Sequence, residues 1–376
     1  MRRLPQWLLW ISLAVHVPIA VVAGVTSQRP HYDLDNYYDI GTKPGRPYVD
    51  FVVEFPVGTV EAFRTVAHLA GDRARFGVAL VTLNFVADVA IAAALGWGCG
   101  IEAAACYALI VIPIVDLFFL RLDLWSTAFA TLGVAGWRRG RPSLAAIAFG
   151  LGAAFKLWPL TFLPLLLIPV NARRRATPIA TAIATGMVIL GGWLWVAGPS
   201  GLYQVLTFRG ARGWEIESTV GAVWMLVDQS SARVEAGAWR IGTTIGPISI
   251  LLFALGAIFS LWLVWRGART RHLGAGWAGG ISALLVLSAL LSPQFAAWLA
   301  PAGGVAWADG DRRITVLTTL AVFLTNLVWK SFNPLVHGAM GPLAMLLARN
   351  LLLAAIAFDV ARLVGRASPG RVNATV

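Results

Sequence analysis

Long apolar runs alternate with short polar segments along almost the whole chain, from residue 7 to residue 360. Two longer polar segments interrupt this pattern, at about 26–75 and 198–245. A transmembrane helix needs roughly 20 apolar residues, so the pattern predicts an all-α polytopic membrane protein. We predict about 12 crossings, within a range of about 10 to 13, at about 7–25, 76–97, 102–120, 123–137, 143–156, 157–170, 176–197, 246–265, 274–292, 295–308, 314–330 and 340–360.

Charge is distributed unevenly between the two ends of the predicted helices. If Arg2 and Arg3 are cytoplasmic, arginine clusters such as 138–141 and 173–175 fall on the same side, whereas 13 of the 18 acids fall on the opposite side. This is the positive-inside distribution, so the net charge of +12 does not indicate nucleic-acid binding. We expect a plasma-membrane protein with both long polar segments on the extracytoplasmic face. The basic start resembles a signal peptide, but the length of the first run favours an uncleaved helix.

Several predicted crossings are too short to span a bilayer as straight helices. The segments 143–156, 157–170 and 295–308 have about 14 residues each, which rise about 21 Å against a hydrocarbon core of roughly 30 Å. Broken helices are tolerated where they line a cavity or are covered by protein. We therefore predict one integral membrane domain over 1–376, with interfacial helices in its outer loops and a cavity that opens to the outer face.

The segment HYDLDNYYDIG, residues 31–41, places three carboxylates directly after the first apolar run. A carboxylate beside a cavity at this depth can act as a general base that takes a proton from an attacking hydroxyl. Asp33 and Asp35 are the candidates. The alternative is that these acids solvate a loop and balance nearby basic residues.

Basic residues near the predicted outer face are candidates for binding a phosphate. Lys156 ends an apolar run, where inserting a charge into the membrane is costly. We therefore expect the lysine either to have a function or to snorkel to the interface. Arg209 opens the second long polar segment, and the planar guanidinium suits phosphate oxygens, although a salt-bridged loop is equally compatible. His337 is a further candidate, the alternative being a solvated loop histidine.

Other polar residues inside the apolar runs favour structural roles. Asn84 and Asp88 are four residues apart on one helical face, which favours an interhelical hydrogen bond over catalysis. Arg349 in the last crossing is expected to face the cavity or a buried partner. Cys99 and Cys106 are interpreted as packing residues.

Four stretches, in the same order along nearly the whole chain, resemble the polyprenyl-phosphate-sugar-dependent glycosyltransferases of the GT-C superfamily. The resemblance is greatest to glycosyltransferase family 87, which includes bacterial mannosyltransferases. The stretches are DLDNYYDIG with GRPYVDFVVEFPVG, then AFKLWPLTFLPLLL, RGWEIESTVGAVW and LLSPQFAAWLAP. The chain departs from the family pattern at Phe55, Val57, Glu215 and Phe295, which affects substrate choice more than fold.

The resemblance implies a GT-C-like bundle that transfers a hexose, in particular mannose, from a polyprenyl-phosphate sugar to a lipid or glycan acceptor. Inversion would occur in one displacement, with Asp33 as base and Asp35 as its rival; no metal or cofactor is implied. The donor phosphate would be bound by Lys156, Arg209 and His337. The substrate or the cavity would be contacted by Tyr37, Tyr48, Asp50, Glu54, Glu217 and Gln294. An arabinosyl- or glucosyltransferase is the nearest alternative, and a lipid or solute transporter or an inactive membrane scaffold are others.

Overall fold

A computed structural model describes residues 5–168, 176–207, 212–229, 232–235, 237–242 and 246–368. Contacts along the chain define two compact units, Met1–Gly210 with Ala374–Val376 and Ala211–Asn373. We call these unit 1 and unit 2 and describe each by itself. The expectation of a single domain over 1–376 stays a prediction.

Unit 1 is built from helices in its described residues. They are α1 (Trp7–Thr26), α2 (Tyr32–Thr42), α3 (Val57–Ala70), α4 (Arg73–Cys99), α5 (Ile101–Val111), α6 (Val115–Phe119), α7 (Asp123–Arg138), α8 (Pro142–Phe155) and α9 (Ala176–Leu206), with 3-10 helices at Ile112–Ile114 and Trp158–Leu167. Fully buried phenylalanines such as Phe63, Phe76, Phe118 and Phe149 form its core.

Unit 2 combines helices with a small sheet. Its elements are β1 (Trp214–Glu215), α10 (Thr219–Trp224), β2 (Arg233–Glu235), β3 (Ala238–Ile241), α11 (Gly246–Arg269), α12 (Leu273–Val286), a 3-10 helix at Pro293–Phe295, α13 (Ala296–Asp309), α14 (Arg312–Lys330), α15 (Phe332–Val336) and α16 (Met340–Arg366). The strands are antiparallel in the order β1-β3-β2, with Trp214 opposite Ile241 and Val234 opposite Trp239.

Among the described residues, six helical segments are long and apolar enough to cross a membrane. These are Trp7–Thr26, Arg73–Cys99, Ile101–Phe119, Ala176–Leu206, Gly246–Arg269 and Met340–Arg366. The other predicted crossings coincide with shorter or less apolar helices, as the 14-residue α8 and α13 show. The segment predicted at 157–170 is a 3-10 helix over Trp158–Leu167 instead of an α-helix, and it contains two prolines that remove backbone donors.

The first long polar segment is more helical than the sequence suggested. The acidic stretch interpreted as a loop forms α2, because Leu34, Tyr37 and Ile40 lie on one face and are buried. A helix predicted in this outer loop is present as α3, which buries Val60 and Phe63. Gly41 is needed where the two helices meet, since a Cβ there would lie 2.7 Å from the Phe63 carbonyl oxygen.

The second long polar segment differs from the expected set of interfacial helices. Its described residues contain the short α10 together with all three strands of the sheet. The strands have only two to four residues, for example Arg233–Glu235, which is too short for an alternating pattern to be recognised in the sequence.

Candidate active site

Asp33 lies in the first turn of α2 and forms an ion pair with Arg121, which lies in the turn between α6 and α7. Both side chains are largely buried, at 18% and 16% exposed. The second carboxylate oxygen, Oδ2, lies 3.9 Å from His31 Nδ1, which is beyond hydrogen-bond length. Asp33 therefore has one oxygen engaged by Arg121 and a second oxygen directed toward a histidine that it does not bond.

Asp35 differs from Asp33 because both of its oxygens are engaged. Oδ1 accepts a 2.5 Å hydrogen bond from Arg73 Nε, and Oδ2 accepts a 3.0 Å bond from the backbone N–H of His31. Arg73, the first residue of α4, also donates to the Ser27 carbonyl at 2.9 Å. Asp35 thus joins the beginning of α2 to α4 and, through Arg73, to the end of α1.

Lys156 forms a further ion pair at the C-terminal end of α8. Its Nζ lies 2.7 Å from Oδ1 of Asp123, the first residue of α7. The Asp123 side chain is only 2% exposed, and that of Lys156 is 16% exposed. The lysine is therefore directed into the protein and does not extend freely to the solvent.

The two ion pairs of Asp33 and Asp123 belong to one electrostatic cluster. Burial alone would lower the pKa of Arg121, but Asp33, Tyr37 and Asp123 together raise it, so the guanidinium stays charged. Burial, with Asp33 and Asp123, raises the pKa of the Tyr37 phenol. We call Asp33, Tyr37, Arg121, Asp123 and Lys156 the charge cluster.

Aromatic rings pack beneath the charge cluster. Tyr37 stacks on Phe63 with ring centroids 4.7 Å apart and meets Phe55 edge-on at 5.7 Å. Phe63 in turn contacts Trp125 at 6.3 Å. This packing fixes the face of α2 that holds Tyr37, and therefore also the position of Asp33 one turn earlier.

Tyr48 shapes the chain that leads into α3. Its backbone has a φ of 67°, which is uncommon for a residue with a side chain, and its hydroxyl donates to the Phe55 carbonyl at 2.5 Å. Gln204 in α9 accepts from Val53 N at 3.0 Å and donates to the Tyr48 carbonyl at 2.8 Å. The contacts of Tyr48 thus stabilise this segment.

Asp50 and Glu54 lie in the same segment. Asp50 Oδ2 accepts a 2.7 Å hydrogen bond from Arg46 N and closes its own turn, and its side chain is 46% exposed. Gly45 adopts a φ of +102° in this turn. Glu54 is half-buried just before α3.

In unit 2, Glu217 follows β1 and is buried together with Arg349 of α16. Arg349 Nη2 donates to the Glu217 backbone carbonyl at 2.6 Å, as expected for an arginine with a buried partner. Glu215 Oε2 accepts from Leu291 N at 2.6 Å. Gln294 Oε1 accepts from the Ser292 hydroxyl at 2.7 Å, so the side chain contacts its own turn.

The other two phosphate candidates, His337 and Arg209, lie outside the described residues of unit 1. His337 is exposed, and its Nδ1 lies 2.7 Å from the Asn333 carbonyl oxygen within the same short helix turn. Arg209 lies outside the described residues.

The structure brings Asp33, Asp35, Tyr37 and Lys156 into one region of unit 1. Their partners Arg73, Arg121 and His31 were not singled out from the sequence. A usable signal existed for Arg121, because it is an isolated basic residue at a predicted outer helix end, where the positive-inside distribution leaves few. Across the described ranges, no group of three or more His, Cys, Asp or Glu side chains is arranged to hold a metal ion.

Asn84 and Asp88 have the structural contacts that their spacing favoured. Asp88 is fully buried and contacts His16 Nδ1 at 2.7 Å, and the Tyr107 hydroxyl donates to it at 2.7 Å. Asn84 Nδ2 donates to the Phe119 carbonyl at 2.8 Å. These bonds link α4 to α1, α5 and α6.

The chain resembles a protein of known structure. It matches the crystal structure of ArnT from Cupriavidus metallidurans in the apo state with a TM-score of 0.50 and 15% sequence identity, over 95% of this chain and 78% of that chain. No family model and no curated protein sequence matches the chain. The likeness confirms the predicted helical GT-C-like fold, and with the six apolar spans it identifies a multi-pass membrane protein.

Proposed function

We propose that the protein is a membrane glycosyltransferase that moves a hexose from a polyprenyl-phosphate sugar to a lipid or glycan acceptor on the extracytoplasmic face. The charge cluster is the observation that carries this proposal, because it combines a buried carboxylate with cations at predicted outer helix ends. The GT-C-like fold that the chain shares with ArnT agrees with it. Mannose is the proposed sugar, on the basis of the family 87 resemblance.

Asp33 is the better general base of the two carboxylates. Asp35 has both oxygens occupied by Arg73 and the His31 backbone, so an acceptor hydroxyl would have to displace a hydrogen bond. Asp33 Oδ2 has no bond to His31 Nδ1 at 3.9 Å. A base must reach its proton over about 2.6–3.2 Å, and an oxygen that is not already saturated meets that requirement.

The proposed reaction is a single displacement at the anomeric carbon of the donor. The acceptor oxygen forms a bond to this carbon, the acceptor proton passes to Asp33, and the bond from the anomeric carbon to the phosphate oxygen breaks. The lipid phosphate leaves with the bonding electrons, and the sugar configuration inverts. Cations stabilise the charge that develops on the leaving oxygen. Lys156 is the described candidate, with Arg209 and His337 as further candidates from the sequence.

Roles for the remaining residues follow from their contacts. Tyr37 and Tyr48 shape the site, since their rings are buried and Tyr48 is bonded within its segment. Asp50, Glu54, Glu217 and Gln294 stay proposed substrate or cavity residues.

An apolar cavity of about 330 Å³ between α1 and α4 offers a surface for the isoprenoid chain. It is lined by Val17, Val21, Val81 and Phe85, and at one end by Gln28. Gln28 follows Ser27, whose carbonyl accepts from Arg73, the partner of Asp35. A lipid chain in this cavity would therefore end beside the carboxylates of α2.

The experiment is a transfer assay with defined donors. Membranes containing the protein are incubated with labelled polyprenyl-phosphate-mannose and candidate lipid or glycan acceptors, and the product is identified by mass. Parallel reactions with polyprenyl-phosphate glucose and arabinose test the alternative sugars. Labelled sugar bound covalently to an acceptor supports the proposal. Movement of donor across vesicles without any covalent product would contradict it and favour a transporter.

A further inference from the structure

Unit 2 contains a basic cavity of about 630 Å³ at the turn between α13 and α14 and the end of α16. Four arginines line it, together with two aspartates: Arg312, Arg313, Arg362, Arg366, Asp311 and Asp359. None of these residues belongs to the charge cluster or to the proposed catalytic site. According to the charge distribution in the sequence, this end of unit 2 is cytoplasmic.

The acids do not neutralise the arginines. Asp359 Oδ2 pairs with Arg313 Nη2 at 2.7 Å, and Asp311 Oδ1 contacts His272 Nδ1 at 2.8 Å. Burial raises the pKa of Asp311, although His272 acts in the opposite direction. Three of the four arginines, Arg312, Arg362 and Arg366, have no carboxylate partner in the described part of the chain, so the cavity has an excess of positive charge.

The side chain of Arg312 is positioned to bind an anion. Its guanidinium lies 3.3 Å from the ring centroid of Trp307, which fixes its plane. Its Nη1 atom is buried and has no hydrogen-bond partner among the described residues. A buried donor of this kind is costly unless something accepts from it. Arg312 also begins α14, so the positive end of the helix dipole adds to the same site.

Exposed apolar residues extend from the cavity along the two helices that form it. On α14 these are Val316, Leu320 and Phe323, which are 54%, 46% and 43% exposed. On α16, Leu351 and Phe358 are 71% and 60% exposed. In a membrane protein these faces contact acyl chains. A phosphate in the cavity would therefore lie directly above a surface for lipid tails.

We propose that this cavity binds the phosphate of an anionic phospholipid headgroup, with Arg312 and Arg366 as its principal ligands. Arg313 and Arg362 add positive charge to the same cavity. Basic pockets between transmembrane helices on the cytoplasmic side are suited to such headgroups. The bound lipid would join the start of α14 to the end of α16.

The test is thermal unfolding of the purified full-length protein in a non-ionic detergent. Phosphatidylglycerol, phosphatidylcholine or inorganic phosphate is added at increasing concentration. We expect a saturable rise in Tm with phosphatidylglycerol and none with phosphatidylcholine. Arg312→Gln and Arg366→Gln should each weaken the apparent affinity about tenfold, as expected for the loss of one charged hydrogen bond. Arg269→Gln is the control, since Arg269 lies at the end of α11 outside the cavity.

Equal lipid responses in all four proteins, or no response in the wild type, would overturn the proposal. If inorganic phosphate alone raised Tm fully and phosphatidylglycerol had no further effect, the bound phosphate would not need to come from a lipid, and the proposal of a lipid headgroup would be overturned. If Arg312→Gln fails to fold because its contact with Trp307 is lost, Arg366→Gln decides the outcome, because its side chain is exposed.

Discussion

Replacing Asp33 by asparagine removes the proposed base while keeping the size of the side chain. Asparagine can still accept a hydrogen bond from Arg121, but it cannot take a proton from an acceptor hydroxyl. General-base catalysis contributes roughly 10²–10⁴ in rate. We therefore expect Asp33→Asn to reduce kcat by about this factor, which corresponds to about 3–5 kcal/mol in the activation free energy.

The same substitution leaves the Arg121 charge without its carboxylate. Breaking a fully buried ion pair costs about 3–5 kcal/mol, and this pair is 16–18% exposed, so we expect a loss of up to about 3 kcal/mol in unfolding free energy. A loss of activity could then reflect instability. The double variant Asp33→Asn/Arg121→Gln separates the two effects, because it removes both charges and should recover much of the lost stability.

The assay combines initial rates of sugar transfer with thermal unfolding of the same preparations. Asp35→Asn is the matched control: its ion pair with Arg73 is 43% and 21% exposed, and such pairs contribute at most about 1 kcal/mol. Because Asp35 is not the proposed base, its rate should fall by far less than the roughly 10²-fold expected at minimum for Asp33→Asn. Near-wild-type turnover in Asp33→Asn, or full recovery of turnover in the double variant, would show that Asp33 is not the base. A greater loss in Asp35→Asn would reassign the role to Asp35.

Three further changes test other parts of the structure. Burial lowers the pKa of His31 although Asp33 opposes the shift, so below a pH of about 6.5 the unfolded chain binds a proton that the folded chain does not. The Tm of the wild type should therefore fall more steeply than that of His31→Gln when the pH is lowered from 7.5 to 5. Parallel curves of Tm against pH would contradict this. Asp88→Asn removes the carboxylate charge from the buried contact between Asp88 and His16 and should lower the unfolding free energy by about 2–4 kcal/mol. The measurement is a lower Tm with an unchanged KM for the donor. Gly274→Ala would place a Cβ 2.0 Å from Ala306 N, where α12 packs closely on α13, and should cost about 1–3 kcal/mol in unfolding free energy. Gly186→Ala in α9, with nothing within 4 Å of its Cβ, should be neutral or stabilise by up to about 1 kcal/mol, and equal effects of the two changes would refute the close packing at Gly274.

Apolar periodicity was sufficient for most of the helical architecture. The predicted bounds 7–25 and 123–137 agree with Trp7–Thr26 and Asp123–Arg138 within about one residue. Twenty-odd apolar residues form a helix wherever water is excluded, because the backbone must satisfy its own hydrogen bonds. The strands of unit 2 were not predicted, since two to four residues pair only through partners supplied by the tertiary fold.

The acidic stretch after the first helix illustrates a different limit. Its abundance of charge and tyrosine suggested a solvated loop, yet it is the helix α2, and three apolar positions on one face were enough to fix it against α3. Composition averages over both faces of a helix, whereas burial is decided by one of them. From the residues alone, Asp33 and Asp35 were both candidates for the base. Only the fold shows that both oxygens of Asp35 accept hydrogen bonds, whereas Oδ2 of Asp33 lies 3.9 Å from His31 Nδ1.

The cations of the candidate site were harder to predict than its carboxylates, for a physical reason. Most of the arginines serve topology and gather at the predicted cytoplasmic helix ends, so they dominate any count of basic residues. Arg73, Arg121 and Lys156 lie at the predicted outer ends, where topology does not require them. Each pairs with a carboxylate there. Few basic residues lie on the side that the positive-inside distribution depletes, so an isolated cation there must be held by a partner that the fold provides. Its position on that side therefore indicates a functional site more directly than the free-energy cost of inserting a charge into the membrane does.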